Sequence, residues 1–276
     1  MNKNKDLTTF ELDFYQQEGY LVRESMFNEA ELFKINSAFE RASLKALELS
    51  NRGSEYNLDG KRFVNCDYLT IQFEPGIDNK TIKVIEPAHQ LDDYLEHLIY
   101  DPRLVKPIQD IIGQSEISLW TDKLNLKRPR EGSGFGWHQD SPYWIHDSSD
   151  VDLLPNVYLA IDTSNEDNGC FRVIRGSHLE GCLPGTDNGT QLGGFYTNPS
   201  SFDETQQVAL EVPAGSLIFF DPHTIHGSGP NQSDFQRRAY IVTYQPGNLP
   251  TLKSATVKNI NQDISTTPLM DCGFLK

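Results

Sequence analysis

The sequence predicts a mainly β protein with a helical N-terminal portion, its strands closing antiparallel into a sandwich or barrel. Three observations predict it. Apolar residues recur at helical steps up to Gly113 and at alternate positions after it. The extended segments that follow are separated by turn clusters and not by helices, which calls for antiparallel pairing. A length of 276 residues is one that all-β barrels often reach as a single unit. One domain is therefore expected over 1–276, with a helical part at about 9–113, the barrel at about 114–248 and a tail over 249–276.

Taken in order, Thr9 to Gln17 reads as a short helix with Phe10, Phe14 and Tyr15 on its apolar side; Gly19 stops it, and Tyr20-Leu21-Val22 reads as a strand. Asn28 followed by Glu31 forms a capping-box start. From there Leu32, Ile35, Phe39, Ala42, Ala46 and Leu49 predict a long amphipathic helix to about Ser50. Residues 51–60 are polar and glycine-bearing, hence a loop, and 62–73 an irregular strand. A helix is expected over 88–100, and another opened by Pro102 and closed by Gly113. Strands are then expected over 117–127, 156–162, 171–175, 207–212, 216–220 and 238–244. Turn clusters such as Asn165-Glu166-Asp167-Asn168-Gly169 and Pro213-Ala214-Gly215 divide them. The Gly-, Asn-, Thr- and Ser-rich stretch 181–205 is too long for an ordinary turn and reads as a lid or binding loop. The tail after Leu249 is weakly patterned, and the sequence holds no internal repeat.

Composition narrows the function. Lys+Arg 24 against Asp+Glu 39 gives a net charge of −15, which argues against nucleic acid and anionic membranes as partners. Cys66, Cys170, Cys182 and Cys272 form no CxxC pair and read as free thiols of a reducing compartment. With no apolar leader and no run near the ~18 apolar residues that span a bilayer, a cytoplasmic protein is expected.

The chemistry is concentrated in Gly136-Trp137-His138-Gln139-Asp140-Ser141-Pro142-Tyr143-Trp144. In an extended segment His138 and Asp140 point the same way, with Cα atoms roughly 6–7 Å apart. An imidazole and a carboxylate so placed can close on one metal ion. With a third ligand from elsewhere they make two histidines and a carboxylate with open positions, the arrangement of non-haem Fe(II) oxygenases. A second stretch, His226-Gly227-Ser228-Gly229-Pro230-Asn231 followed by Arg237, begins 88 residues downstream.

His138-Gln139-Asp140, Asn168-Gly169-Cys170, Gly176-Ser177-His178, His226-Gly227-Ser228-Gly229-Pro230-Asn231 and Arg237 stand in an order that resembles the phytanoyl-CoA dioxygenase (PhyH) family of Fe(II)- and 2-oxoglutarate-dependent oxygenases. The likeness covers roughly Thr9 to Tyr244. It implies a double-stranded β-helix (a jelly-roll or cupin barrel) with N-terminal buttressing helices. It also implies Fe(II), 2-oxoglutarate and O2 as reactants, His138, Asp140 and His226 as iron ligands, and Arg237 as anchor of the distal carboxylate. Arginine's planar fork of donors suits that carboxylate, and its charge is permanent. Ser228 could add a hydroxyl, and Lys123 and Asn125 are further candidates for the cosubstrate's seat. Arg238, on the other side of the strand, is expected to be structural. Arg175 departs from the family's usual proline before Gly-Ser-His.

His223 competes with His226, but the Gly-Ser-Gly that follows and the arginine eleven residues on favour His226. His178 reads as a structural turn residue, and His89, His97 and His146 as surface or packing residues. Tyr143, Trp137 and Trp144 are candidate substrate contacts that could equally be barrel-edge packing. The basic group Lys123, Lys127, Arg128 and Arg130 is either a solvated face or an anion site. Lys123, Asn125 and Lys127 share one parity, and a buried lysine among them needs an anionic partner. The branches of this family act on acyl-CoA thioesters, ectoine-like amino acids, natural-product scaffolds and aminoalkylphosphonates. The basic group and Asp122-Lys123-Leu124-Asn125 resemble the bacterial aminoalkylphosphonate hydroxylase branch, so hydroxylation of a small polar anion is expected. Natural-product tailoring by hydroxylation, desaturation or cyclisation is the alternative; an acidic surface disfavours CoA. Asp140 argues against a halogenase, which vacates the carboxylate position. A cupin-like binding protein would lack a ligand or Arg237, and a zinc hydrolase has no need of that arginine.

Overall fold

The computed structural model describes residues 6–76 and 80–260. Cys272 and the end of the expected tail lie outside them. Helix α1 (Thr9–Glu18) starts at a Thr8–Glu11 capping box and ends at Gly19, whose φ of +80° makes the left-handed cap a Cβ would strain. Strand β1 (Tyr20–Arg23) leads to α2 (Glu29–Ser50), capped reciprocally by Asn28 and Glu31. The region 51–100 departs most from expectation. The expected loop and single strand form a meander of β2 (Ser54–Leu58), β3 (Lys61–Cys66) and β4 (Leu69–Phe73), extended by β5 (Ile82–Glu86). The β2–β3 turn is Asp59-Gly60 with φ of +51° and +77°, a pair of positive values that a two-residue hairpin requires. The helix expected over 88–100 shortens to α3 (Asp93–Leu98) after a single 3-10 turn. Helix α4 (Pro102–Ile112) keeps both its Pro start and its Gly113 stop.

Then follow β6 (Ile117–Lys127), β7 (Phe135–His138), the short α5 (Ser141–Trp144), β8 (Asn156–Ala160), β9 (Phe171–Ile174), β10 (Gln207–Leu210), β11 (Leu217–Phe220), β12 (His226–Ser228) and β13 (Arg237–Pro246). The strands build two antiparallel sheets, nine-stranded in the order β1-β11-β8-β13-β6-β5-β4-β3-β2 and four-stranded in the order β10-β9-β12-β7. This is the mainly β, cupin-like architecture expected, with helices on one sheet.

Parity divides the core. On β13 the residues Tyr240, Val242 and Tyr244 face the helices, and Phe39 of α2 meets Tyr240 edge-on at 6.1 Å. Ala239 and Ile241 face the other way, into a second apolar cluster with Tyr158, Phe171 and Phe220 between the sheets. Arg238 falls on the helix side, where it pairs with Asp162 and Glu40, as its parity required. Arg237 falls on the inner side. Residues after Leu249 run back along β6, with Ile260 donating to the Ile117 carbonyl, so this part of the tail is structured. No helix of the described residues is long and apolar enough to cross a membrane.

Candidate active site

His138 and His226 are direct cross-strand partners in the β7–β12 ladder, which puts both rings on one face with centroids 4.2 Å apart. Each Nδ1 faces a backbone carbonyl, Gly136 for His138 at 2.8 Å and Thr224 for His226 at 2.9 Å. Donation from Nδ1 leaves both Nε2 lone pairs for a ligand. Asp140 comes to the same point by a different route from the one expected. The strand ends at His138, and Asp140 has helical torsions (φ −78°, ψ −31°) at the mouth of α5. Its amide and that of Ser141 both donate to the Pro222 carbonyl, fixing the turn. One ligand atom from each of His138, Asp140 and His226 lies within 4.8 Å of the others, so the three could hold a metal ion. His223 is elsewhere, between Ser141 Oγ (2.8 Å) and Asp152 (2.7 Å).

The electrostatics suit a cation. Burial, aided by His226, pulls the His138 imidazole down to about 3, and burial lowers His226 too. Both are therefore neutral, as metal ligation needs. Burial alone would push the Asp140 carboxyl up, but Lys123 and the two imidazoles together hold it below its ordinary range. Asp140 divides its oxygens: Oδ2 stands 4.0 Å from His226 Nε2, and Oδ1 stands 3.6 Å from Lys123 Nζ. Gln139, facing away, is fully buried and donates to the Gly181 and His223 carbonyls while accepting from the Leu183 amide. It ties the triad to the start of the long loop.

Beside the triad lies a cavity of about 520 Å³. At its inner end Arg237 is 2 % exposed and donates to Tyr158 Oη (3.0 Å) and the Gly169 carbonyl (2.8 Å). Gly169 can present that carbonyl because its φ is +74° and a Cβ there would stand 2.2 Å from the Gly229 oxygen. This explains Asn168-Gly169-Cys170. Arg237 Nε is buried with no hydrogen-bond partner among the described residues, an unmet donor that costs about 1–3 kcal/mol unless an acceptor arrives. A carboxylate meets that need. Lys127 donates to Ser228 Oγ (2.8 Å) and to the Gly229 carbonyl, leaving the Ser228 proton free for another acceptor. Burial, with Arg237 and Lys83 nearby, drags the Lys127 ammonium down to about 6. Asn125 also lines the cavity.

Sequence reasoning missed several contributors. Lys83, on the unexpected β5, holds Ser133 Oγ (2.6 Å) and the Gly134 carbonyl (2.9 Å); burial lowers its ammonium to about 8. Lys61 and Glu86 also line the cavity, as do Phe135 and Tyr196. The run Ile82-Lys83-Val84-Ile85 carried a strand signal in its β-branched residues. Of the aromatic candidates, Tyr143 and Trp144 line the cavity. Trp137 does not: it faces the long loop, where Nε1 donates to Glu204 and the ring meets Phe202. Arg128 is likewise turned outward to Gln236 and Glu40, and Arg130 pairs at the surface with Asp234. Only the odd-numbered members of the basic group turn inward. His89 is no surface residue; it is buried 2.5 Å from Asp122. His178 is structural as expected, with Nε2 at the Gln16 carbonyl, and Arg175 is held by Glu18 at 2.7 Å. Cys66, Cys170 and Cys182 are free.

A family model for phytanoyl-CoA dioxygenase (PhyH) matches residues 15–239. The chain belongs to this family. It is a 2-oxoglutarate-dependent non-haem iron dioxygenase, and Fe(II), 2-oxoglutarate and O2 are the family's requirements. The chain is 28% identical over 236 residues to a probable α-ketoglutarate-dependent hypophosphite dioxygenase of Stutzerimonas stutzeri, covering 83% of this chain and 76% of that one. It is 30% identical over 137 residues to a 2-aminoethylphosphonate dioxygenase of an uncultured bacterium, covering 50% and 48%. The crystal structure of EctD from S. alaskensis with 2-oxoglutarate and 5-hydroxyectoine shares the fold, with a TM-score of 0.68 at 20% identity over 89% of this chain and 78% of that one.

Proposed function

We propose that this enzyme hydroxylates a C–H bond of a small polar anion, an aminoalkylphosphonate being the class that fits best, within one domain over 1–276. The observation that carries the reading is the charge of the cavity. A chain of net charge −15 lines it with Lys61, Lys83, Lys123, Lys253 and Arg237 against Glu86, Asp140 and Asp147, and sets Lys127 behind Ser228. The relatives named for hypophosphite and 2-aminoethylphosphonate support it.

In this reading His138, Asp140 and His226 hold Fe(II). Arg237 Nε and the Ser228 hydroxyl take the distal carboxylate of 2-oxoglutarate, and Asn125 lies beside it. Bound iron, with the keto acid and O2, supplies the oxidation that puts a hydroxyl on carbon while 2-oxoglutarate is decarboxylated to succinate. The chain's own residues do the rest. Gly136 and Thr224 carbonyls aim the imidazoles. Lys123 draws Asp140 Oδ1 aside, so that Oδ2 is presented to the metal. Phe171 and Tyr158 keep water from the inner end. Glu86, which accepts from Thr121 Oγ1 at 2.9 Å, offers a carboxylate for a substrate ammonium.

Anaerobic addition of Fe(II) and 2-oxoglutarate should produce the weak visible charge-transfer band of a chelated keto acid. Succinate release should then rise with aminoalkylphosphonates over neutral amino acids and acyl-CoAs. If release responded instead to a bulky neutral scaffold, the tailoring alternative, which the aromatic Tyr143, Trp144 and Phe63 lining favours, would replace this one.

A further inference from the structure

Six basic side chains stand at or behind the cavity wall; Lys253 is exposed and reaches Thr70 Oγ1 at 3.3 Å, and four others are already committed. Lys123 has Asp140, and Lys83 has Ser133 and the Gly134 carbonyl. Lys127 has Ser228 with the Gly229 carbonyl, and Arg237 has Tyr158 and Gly169 with its remaining Nε at the inner end. Lys61 differs. It opens β3, directly after the Asp59-Gly60 turn, and its half-buried side chain lines the cavity. Like Lys83, Lys127 and Arg237 it makes no ion pair among the described residues, but its hydrogen-bond partner is a single phenol on a loop, Tyr196 Oη at 2.5 Å, where theirs include main-chain carbonyls.

Tyr196 belongs to the long loop and is held in place from three sides. It bridges to His138 in β fashion, and its ring lies where a Cβ on Gly136 would stand 3.0 Å away. Its neighbour Phe195 stacks on Tyr143 at 4.4 Å. The same hairpin grips the loop a second time, because the Asp59 carboxylate accepts from the Gln191 and Leu192 amides. An ammonium is thus carried to the cavity by a hairpin that is itself bolted to the loop over the site, and no carboxylate among the described residues pairs with it. A cation kept uncompensated beside other cations is unfavourable until an anion joins it.

We propose that Lys61 and the Tyr196 hydroxyl form the substrate's oxyanion subsite, separate from the 2-oxoglutarate seat at Arg237, and that this pair selects a substrate bearing a phosphonate or phosphinate group. This rests on the reading of the cavity as the iron and 2-oxoglutarate site. Lys61 supplies the charge and one set of donors. The phenol oxygen accepts from Lys61, so its own O–H is left to donate to a second oxygen of the anion.

The test uses the full chain loaded anaerobically with Fe(II) and 2-oxoglutarate. The charge-transfer band reports keto-acid binding, and its perturbation reports binding of 2-aminoethylphosphonate, methylphosphonate or hypophosphite. The variants are Lys61→Met, Lys61→Arg and Tyr196→Phe. Lys61→Met should weaken oxyanion binding about ten- to a hundredfold, the worth of one charged hydrogen bond, while the keto-acid dissociation constant moves less than about threefold. Lys61→Arg should recover most of the loss, and Tyr196→Phe should cost only a few-fold. Equal losses for Lys61→Met and Tyr196→Phe would mean that the lysine merely fastens the loop, and would overturn the proposal. So would loss of keto-acid affinity in Lys61→Met, which would assign the lysine to the other seat, or a wild-type band that none of the three oxyanions perturbs. Absence of the band in the wild type would instead defeat the reading of the cavity on which this rests.

Discussion

The two ends of the cavity are built differently. At the inner end Arg237, Lys127 and Ser228 are carried by strands, and backbone carbonyls of Gly169 and Gly229 fix the two cations. At the outer end Lys61, Tyr196 and Tyr143 come from a hairpin, a long loop and a single helical turn, and they meet through a phenol and stacked rings. The inner end is fixed by strands and main-chain hydrogen bonds, which suits the proposed seat of a cosubstrate used in every turnover. The outer end rests on parts that tolerate change, which is where discrimination among substrates can be altered without disturbing the chemistry.

That contrast is broken most severely at the triad between the two ends. Asp140→Ala should cut hydroxylation about a thousandfold or more, since a metal's contribution is several kcal/mol and each decade is about 1.4. Fe(II) titration should show weakened binding while the far-ultraviolet circular dichroism stays native; full activity would end the ligand assignment. At the inner end, Arg237→Gln should raise the 2-oxoglutarate dissociation constant about 30- to 5,000-fold, from the roughly 2–5 kcal/mol that losing one partner of a buried charge pair costs. Oxyanion affinity, measured at saturating keto acid, should be nearly untouched. An equal effect on both ligands would erase the distinction between the ends.

A subtler difference concerns protons. In the empty cavity Lys127 holds its proton only below about 6 and Lys83 only below about 8. A dianion beside them favours the protonated forms and raises both values. Between the empty and the bound values, binding therefore takes up protons, and affinity falls as pH rises. From pH 6 to 9 the loss should reach up to about tenfold per pH unit for each proton taken up. Calorimetry in PIPES and in Tris should reveal that uptake as a buffer-dependent heat, reduced in Lys127→Met. A pH-independent dissociation constant would show that neither lysine senses the keto acid. The smallest effect is expected at the rim. Asp59→Ala removes two exposed amide contacts worth about 0.5–1 kcal/mol each and should raise substrate KM by no more than a few-fold, with kcat for any succinate-releasing substrate unchanged.

Much of this was legible in the residues. The capping boxes at Thr8–Glu11 and Asn28–Glu31 and the glycine stops at Gly19 and Gly113 marked helix ends because they satisfy backbone groups locally. Alternation on β6 put Lys123, Asn125 and Lys127 on one side, from which one or more was expected to reach inward, but it did not separate Arg128, a candidate for the anion site that instead turns out to Gln236 and Glu40. The first half of the large sheet was harder to read. Strand β2 is exposed on nearly every residue, so it has no alternation to find, and only Asp59-Gly60 announced the hairpin. Strand β5 was overlooked, and Lys83 and Glu86 went with it. Asp140 reached the triad, but through a helical turn that His-x-Asp spacing does not specify. His89 looked unpartnered because its partner, Asp122, is 33 residues away and meets it only in the fold.

The pairing of His138 opposite His226 ties the centre to correct zipping of the smaller sheet. In that sheet β7 is an edge strand with β12 as its ladder neighbour, and a slip by a single residue would send the two rings to opposite sides. A chain folded with that slip could be compact and soluble yet remain colourless when mixed with ferrous ion and keto acid. The tint of a refolded sample thus becomes an assay of strand registration.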